Sequence, residues 1–113
     1  MSLFTFFNPA KDYLIAGAVR LWFNQAKKHY GNMTHINIDS QKRSLDIELD
    51  LKGEATPLQI NIKNYRLIDE SGETYIELSD ITTSREWINA LLGDYPDLEK
   101  RRYKVPAAVK VLL

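Results

Sequence analysis

Four consecutive segments of this sequence alternate apolar and polar residues with a period of two. The clearest is SLDIELDLK, in which Leu45, Ile47, Leu49 and Leu51 are apolar and the residues between them are acidic. The segments MTHINIDS, PLQINIKNYRLI and ETYIELSDI follow the same pattern. Because successive side chains of a strand point to opposite faces, these segments predict a sheet with one buried face and one wet face.

Short polar turns between the segments indicate an antiparallel meander. The turn SQKR joins the first two strands and sets Ile38 opposite Leu45, Ile36 opposite Ile47, His35 opposite Glu48 and Thr34 opposite Leu49. Equivalent pairing of the later strands sets Leu51 opposite Leu58 and, across the turn DESG, Leu67 opposite Thr74 and Tyr65 opposite Ile76.

The third strand changes phase along its length. Ile62 and Tyr65 are both apolar positions, but two residues separate them. Both side chains reach the buried face only if the strand gains one residue. We therefore predict a β-bulge at Lys63–Asn64.

Residues 8–31, ahead of the strands, read as one long helix. Asn8 suits the N-cap, Pro9 the first helical position and Gly31 the C-terminal stop. An apolar face at three- and four-residue steps comprises Ile15, Ala18, Val19, Trp22, Ala26 and Tyr30.

A second, shorter helix is predicted over residues 83–93. Thr83 and Glu86 have the spacing of a capping box, and Gly93 follows as a stop. Trp87, Ile88, Leu91 and Leu92 would then point inward. Beyond it, residues 94–106 read as a connector with two prolines, and AAVKVLL as a short tail that is either a helical turn or an edge strand.

These elements predict a single α+β domain over residues 1–113. Its two layers are a long N-terminal helix and a four-stranded antiparallel meander, followed by a short helix and a C-terminal tail. The element order resembles that of the cystatins, although SQKR stands where their inhibitory Gln-x-Val-x-Gly hairpin would be. It is equally similar to hot-dog folds, which enclose small apolar ligands.

Composition and motifs exclude several classes of function. The chain has no cysteine and a net charge of zero, so thiolate chemistry is excluded and nucleic-acid binding is disfavoured. No phosphate-binding glycine loop, zinc-binding helix or nucleophile elbow is present, and we expect no cofactor. The alternating carboxylates Asp46, Glu48 and Asp50 are spaced too widely along one strand for a metal site, and Lys63 is expected opposite Asp46.

The longest nearly apolar run, residues 13–23, contains Arg20 and is too short to cross a bilayer. The N-terminal residues lack the basic start of a signal peptide. We therefore expect a cytoplasmic protein without a transmembrane segment.

Two groups of residues are candidates for function. Trp22, Phe23 and Tyr65, together with the strand isoleucines, would line a cavity between helix and sheet. Arg85, which has no structural role in the sequence pattern, and the basic cluster Lys100, Arg101, Arg102 and Lys104 are candidates for interaction.

Three functions stay open on the sequence alone. The leading one is a non-catalytic binding or protein-interaction domain that pairs with a protein partner or forms a homodimer through surplus apolar surface, including SLFTFF at the start. The alternative is a carrier for a small apolar ligand or lipid. The third is an enzyme that uses either His35 and Glu48 or Arg85 and Glu86. For His35 and Glu48 an ordinary cross-strand polar pair is the simpler interpretation.

Overall fold

A computed structural model describes residues 9–98 and 102–110 of the chain. Its helices are α1 (Pro9–Ala26), α2 (Glu86–Asp94) and α3 (Ala107–Lys110), with a short 3-10 turn at Pro96–Leu98. Its strands are β1 (Gly31–Asp39), β2 (Ser44–Leu51), β3 (Leu58–Glu70), β4 (Glu73–Thr83) and β5 (Arg102–Lys104). The α+β class, the long helix and the meander are confirmed. Asn8 and the segment SLFTFF lie outside the described residues.

The five described strands form one antiparallel sheet in the order β1-β2-β3-β4-β5. The first hairpin pairs Ile38 with Leu45 and His35 with Glu48, as predicted. A bulge between Met33 and His35 shifts the rest, so Met33 rather than Thr34 lies opposite Leu49. The shift buries the Met33 side chain, whereas Thr34 stays exposed and donates a hydrogen bond to Glu48 Oε2 at 3.0 Å.

The next two hairpins differ from the predicted registers by two residues. Leu58 lies opposite Leu49 rather than Leu51, and Leu67 lies opposite Ile76 rather than Thr74. In the β3–β4 hairpin, pairing continues to the very end of the strands and leaves a two-residue turn, Ser71–Gly72. Both turn residues have positive φ, 54° and 80°, which is the type I′ geometry that matches the twist of the flanking strands.

The predicted bulge at Lys63–Asn64 is wrong. The β3–β4 register is the same on both sides of this position, with Ile62 opposite Ile81 and Asn64 opposite Ser79, and only the intervening Lys63 and Asp80 are not paired. Instead, the alternation of side chains between the two faces of the sheet changes in β3 and β4 together. Asp80 of β4, at this position, has a φ of 55°. The change of alternation that the sequence shows in β3 is therefore real. It occurs in β3 and β4 together, however, and not in β3 alone.

The predicted connector contains a fifth strand. β5 adds to the free edge of β4 by pairing Ile76 with Tyr103, and the Val105 amide donates to the Thr74 carbonyl at 2.8 Å. The chain then turns into α3, whose Lys110 ammonium donates to the Gly72 carbonyl. An open strand edge offers unpaired backbone groups, and here this local segment satisfies them.

The second helix begins three residues later than predicted, at Glu86, so the capping box is wrong. Thr83 ends β4, and the Asn89 side chain exchanges two hydrogen bonds with its backbone, at 2.7 and 2.9 Å. Trp87 does not point inward, because 64% of it is exposed. The Asn89 amide thus anchors the helix to β4, and no residue of the helix is fully buried.

Helix α1 lies over β1 and is attached to it at both ends. At one end Asn24 exchanges two hydrogen bonds with the Met33 backbone, at 2.6 and 3.2 Å. At the other, Asp12 Oδ2 accepts hydrogen bonds from the Ser40 amide and hydroxyl, at 3.0 and 2.9 Å. The helix stops at Ala26 rather than at Gly31, which instead opens β1.

The buried core lies where α1 meets the C-terminal segment. Ile15, Val105 and Val109 form its centre, and half-buried Ala18, Val19, Ile38 and Ile76 surround it. Ala16, Met33, Leu58 and Ile62 are also buried. Among the described residues no large side chain is completely shielded from solvent, so the core is small.

Gly31 should tolerate no side chain. A Cβ atom there would lie 2.2 Å from the Asp50 carbonyl oxygen, at a φ of 149°. We expect Gly31→Ala to lower the free energy of unfolding by about 1–3 kcal/mol, measured by urea denaturation. Gly93→Ala is the matched control, because its Cβ would meet nothing within 4 Å; it should leave stability unchanged or slightly raised. Equal effects of the two changes would contradict this account.

Candidate functional site

An open cavity of about 570 Å³ lies between α1 and the helix-facing side of the sheet. Most of its wall is aliphatic. The helix contributes Ile15, Val19 and Trp22, the strands contribute Ile36, Ile38, Leu45, Ile47, Leu67 and Ile76, and the C-terminal segment contributes Val105, Pro106 and Val109. Leu67 and Tyr103, each 41% exposed, form part of the opening to solvent.

The position of α1 explains why space is left. A helix with its side chains is about 10 Å across, whereas five strands spaced about 4.8 Å apart span about 19 Å between the outermost axes. The helix packs mainly on β1, at one edge of the sheet, and touches α3 at the other side. The middle strands therefore present apolar side chains that α1 only partly covers.

A few polar residues complete the wall of the cavity. They are Lys11, Asp12, Ser40, Tyr65, Tyr103 and Lys104. A second pocket of about 330 Å³ shares Asp12, Ile36, Ile38 and Ser40 with the cavity. The site thus combines a largely apolar wall with a few polar groups, which is the usual character of a small-molecule site.

Tyr65 is the titratable group that the cavity perturbs. Burial raises the pKa of its phenol above the ordinary value of 10.0, and the negative charges of Asp12 and Asp39 raise it further. The positive charge of Arg43 acts in the opposite direction. The neutral phenol is therefore favoured, and Tyr65 offers a hydrogen-bonding group to the cavity.

Two of the three predicted ligand-binding residues come together. Trp22 and Tyr65 both line the cavity, from α1 and β3 respectively. Phe23, half-buried on the same helix, is outside the wall because it lies one position round the helix from Trp22. That these residues bind a ligand stays a prediction.

The residues of the basic cluster that the structure describes, Arg102 and Lys104, form ion pairs with acidic side chains. Arg102 Nη1 lies 2.6 Å from Glu70, and Lys104 Nζ lies 3.3 Å from Glu73. Glu77 is also close to Arg102, and its pKa is lowered chiefly by the hydrogen bond from Arg66, at 2.8 Å. Lys100 and Arg101 lie outside the described residues. Arg102 and Lys104 thus attach β5 to the neighbouring hairpin.

Arg85 has a structural role that the sequence pattern did not reveal. Its Nη2 donates to the carbonyl and the hydroxyl of Thr56, at 2.7 and 2.8 Å, and its side chain is half-buried rather than free. This contact joins the start of α2 to the β2–β3 loop. It could not be inferred locally, because the two residues are far apart in the sequence.

The proposed acid–base pair lies on the face of the sheet opposite to the cavity. His35 is directly opposite Glu48, as predicted, but Glu48 accepts hydrogen bonds from Thr34 and Gln59. In the part of the chain that the structure describes, no hydrogen bond joins His35 to Glu48. Asn61, not Lys63, faces Asp46 and donates to it at 2.5 Å.

Metal-binding geometry is likewise missing from residues 9–98 and 102–110: no three His, Cys, Asp or Glu side chains there converge on one point. None of the described helices is both long and apolar enough to cross a lipid bilayer.

Part of the wall was missed in the sequence. Val105, Pro106 and Val109 lie in a segment that reads as connector and tail, and Lys11 reads as an ordinary helix residue. The apolar spacing of Val105 and Val109, four residues apart, was the available signal.

Comparison of the chain with protein-family models, curated proteins and solved structures gives no match. The functional argument therefore depends on the site itself.

The environment of Tyr65 can be measured directly. We expect the difference between the ultraviolet pH titrations of the wild type and of Tyr65→Phe to show a phenol that ionises above pH 10.0. The neutral phenol's contribution to stability is fully present below pH 10 and is lost as the pH rises through the raised pKa, because the folded state then holds the proton more tightly than the unfolded state. A midpoint at or below 10.0 would contradict the burial of this group.

Proposed function

We propose that this protein is a non-catalytic binding protein that holds one small, largely apolar molecule in the cavity between α1 and the sheet. The observation that carries the proposal is an aliphatic cavity of about 570 Å³ beside a small core. This volume lies within the range of small-molecule sites, roughly 300–1,000 Å³.

The physics of packing favours an occupant. Protein interiors are normally filled to the density of organic crystals, and the side chains around a void lose dispersion contacts. Water is a poor filler, because an ordered water needs two to four polar partners and the aliphatic part of this wall offers none. An apolar molecule would restore both the contacts and the burial.

The chemistry of the wall supports binding rather than catalysis. Its polar residues are Lys11, Asp12, Ser40, Tyr65, Tyr103 and Lys104. Asp12 and Ser40 are hydrogen-bonded to each other, while His35 and Glu48 lie across the sheet. The proposal includes a cytoplasmic location, because a chain without cysteines is compatible with a reducing compartment.

A matched pair of substitutions tests the site. Ile47 lines the cavity, whereas Ile62 is 3% exposed and lies outside the wall. We expect Ile47→Phe to fill space, to change the free energy of unfolding by less than about 1 kcal/mol and to weaken binding of the neutral fluorophore phenylnaphthylamine at least about tenfold. Ile62→Phe should lose about 1–3 kcal/mol by overpacking yet keep the fluorophore site.

The natural fluorescence of the protein gives a second readout. Trp22 lines the cavity and Trp87 is largely exposed, so a Trp87→Phe background leaves one indole that reports on occupancy. Wild-type protein that binds no fluorophore would overturn the proposal. So would binding that appears only after Phe4, Phe6 and Phe7 are replaced by serine, because the chain itself would then be the occupant.

A second candidate is a homodimer, favoured by the solvent-facing side of α1. Tyr13, Leu14 and Leu21 are 81%, 61% and 61% exposed, and Gly17 lies between them with open space around it. Tyr13 and Leu21 are equally distant from Gly17. A two-fold axis through Gly17 would therefore bring Tyr13 of one copy against Leu21 of the other in an antiparallel helix pair, a self-complementary arrangement.

Light scattering distinguishes the two candidates. If α1 pairs with a second copy, the wild type should have the mass of a dimer, and Leu21→Glu should convert it to a monomer without unfolding it, since Leu21 is exposed. Asn32→Asp, which adds the same charge at an exposed position on β1, is the control and should leave the dimer intact. A monomeric wild type would remove this candidate and leave the cavity proposal standing.

A further inference from the structure

The charged groups on the cavity wall differ in whether the protein already satisfies them. Among the described residues the wall has three: Lys11, Asp12 and Lys104. Asp12 accepts two hydrogen bonds from Ser40, and Lys104 pairs with Glu73. Lys11 thus differs from the other two, because no carboxylate of residues 9–98 and 102–110 forms an ion pair with its ammonium.

The position of the Lys11 ammonium favours an anion beside it. The residue is half-buried and lies in the first turn of α1. The amino end of a helix carries partial positive charge, which disfavours a cation and favours an anion nearby. A bound anion at this point would be attracted by the ammonium and by the helix end together.

The rest of the cavity restricts the kind of anion. Next to Lys11 the wall passes directly to Ile15 and Val19 along the same helix face, and then to Trp22. A compact, fully polar anion would leave this aliphatic length empty. A molecule with one anionic end and one hydrocarbon chain matches both parts of the wall.

On the basis of the proposed function, we propose that the ligand is a single-chain carboxylate of the fatty-acid class, with its carboxylate against Lys11 and its hydrocarbon chain along the aliphatic wall. Lys104, on the same wall, is already paired with Glu73 and is not needed for this recognition. Lys11 is then a specificity-determining residue, which selects the anionic end group, while the aliphatic wall supplies the affinity.

The test measures displacement of phenylnaphthylamine by three compounds that share a twelve-carbon chain: dodecanoate, dodecanol and dodecylamine, each below its micellar concentration. We expect dodecanoate to bind most tightly to the wild type. Among shorter carboxylates, affinity should fall about fourfold for each methylene removed, as burial of one methylene predicts.

Substitution of Lys11 separates the end group from the chain. Lys11→Met should weaken dodecanoate by up to about fivefold, the range for an ion pair at an open site, and leave dodecanol unchanged. Lys11→Arg should retain dodecanoate binding. Lys52→Met, which removes an exposed lysine outside the wall, is the matched control and should change neither compound.

The outcomes distinguish this inference from the function on which it rests. Equal displacement by dodecanol and dodecanoate, or an unchanged dodecanoate affinity in Lys11→Met, would overturn the carboxylate assignment while the apolar site stands. Tightest binding of dodecylamine would overturn it in favour of recognition by Asp12. If the fluorophore does not bind to the wild type, the proposed function itself fails.

Discussion

The attachment of α1 along one edge of the sheet is the constraint on which the rest of this structure depends. Two polar contacts set it: Asn24 with the Met33 backbone and Asp12 with Ser40, at opposite ends of β1. Each includes a hydrogen bond to a backbone amide, whose direction is fixed, so the two contacts favour one position of the helix along β1 and one rotation about its axis. Apolar contacts, being non-directional, favour neither.

Because α1 lies off the centre of the sheet, the C-terminal segment has to cover part of the sheet as well. β5 adds to the opposite edge of the sheet, and Val105 and Val109 then meet Ile15 of α1 to form the centre of the core. The two coverings approach from opposite sides and do not close over the middle strands. The cavity is thus a direct consequence of helix placement, and its wall contains one of the contacts, Asp12 with Ser40, that sets that placement.

Sequence patterns were most informative where one period dominates over many residues. The alternation in β2 predicted the strand and its buried side, and the β1–β2 turn predicted the pairing of Ile38 with Leu45. Errors of two residues arose in the later hairpins, because a shift of two keeps every side chain on its face and so leaves the pattern unchanged. Turn geometry decides between such registers, and Ser71–Gly72 did so here.

The candidate functional residues likewise divide into those that the sequence pattern identified and those that it did not. Trp22 and Tyr65 were identifiable as cavity residues because each belongs to the apolar face of its own element. Arg85 was not identifiable as a structural residue, because its partner Thr56 is brought near only by the fold. Arg102 and Lys104 were identifiable as part of a basic cluster, but only the placement of β5 shows which acidic residues of the β3–β4 hairpin they meet.

By itself, then, the sequence determined the α+β class, the one-sided sheet and the apolar face of the long helix, because these follow from the periodicity of neighbouring residues. The tertiary structure alone decided which edge the helix occupies, that the connector becomes a strand, and that an aliphatic cavity remains with Lys11 at its edge. Those features depend on the balance between a few directional contacts, distant in sequence, and a sheet face wider than one helix can cover.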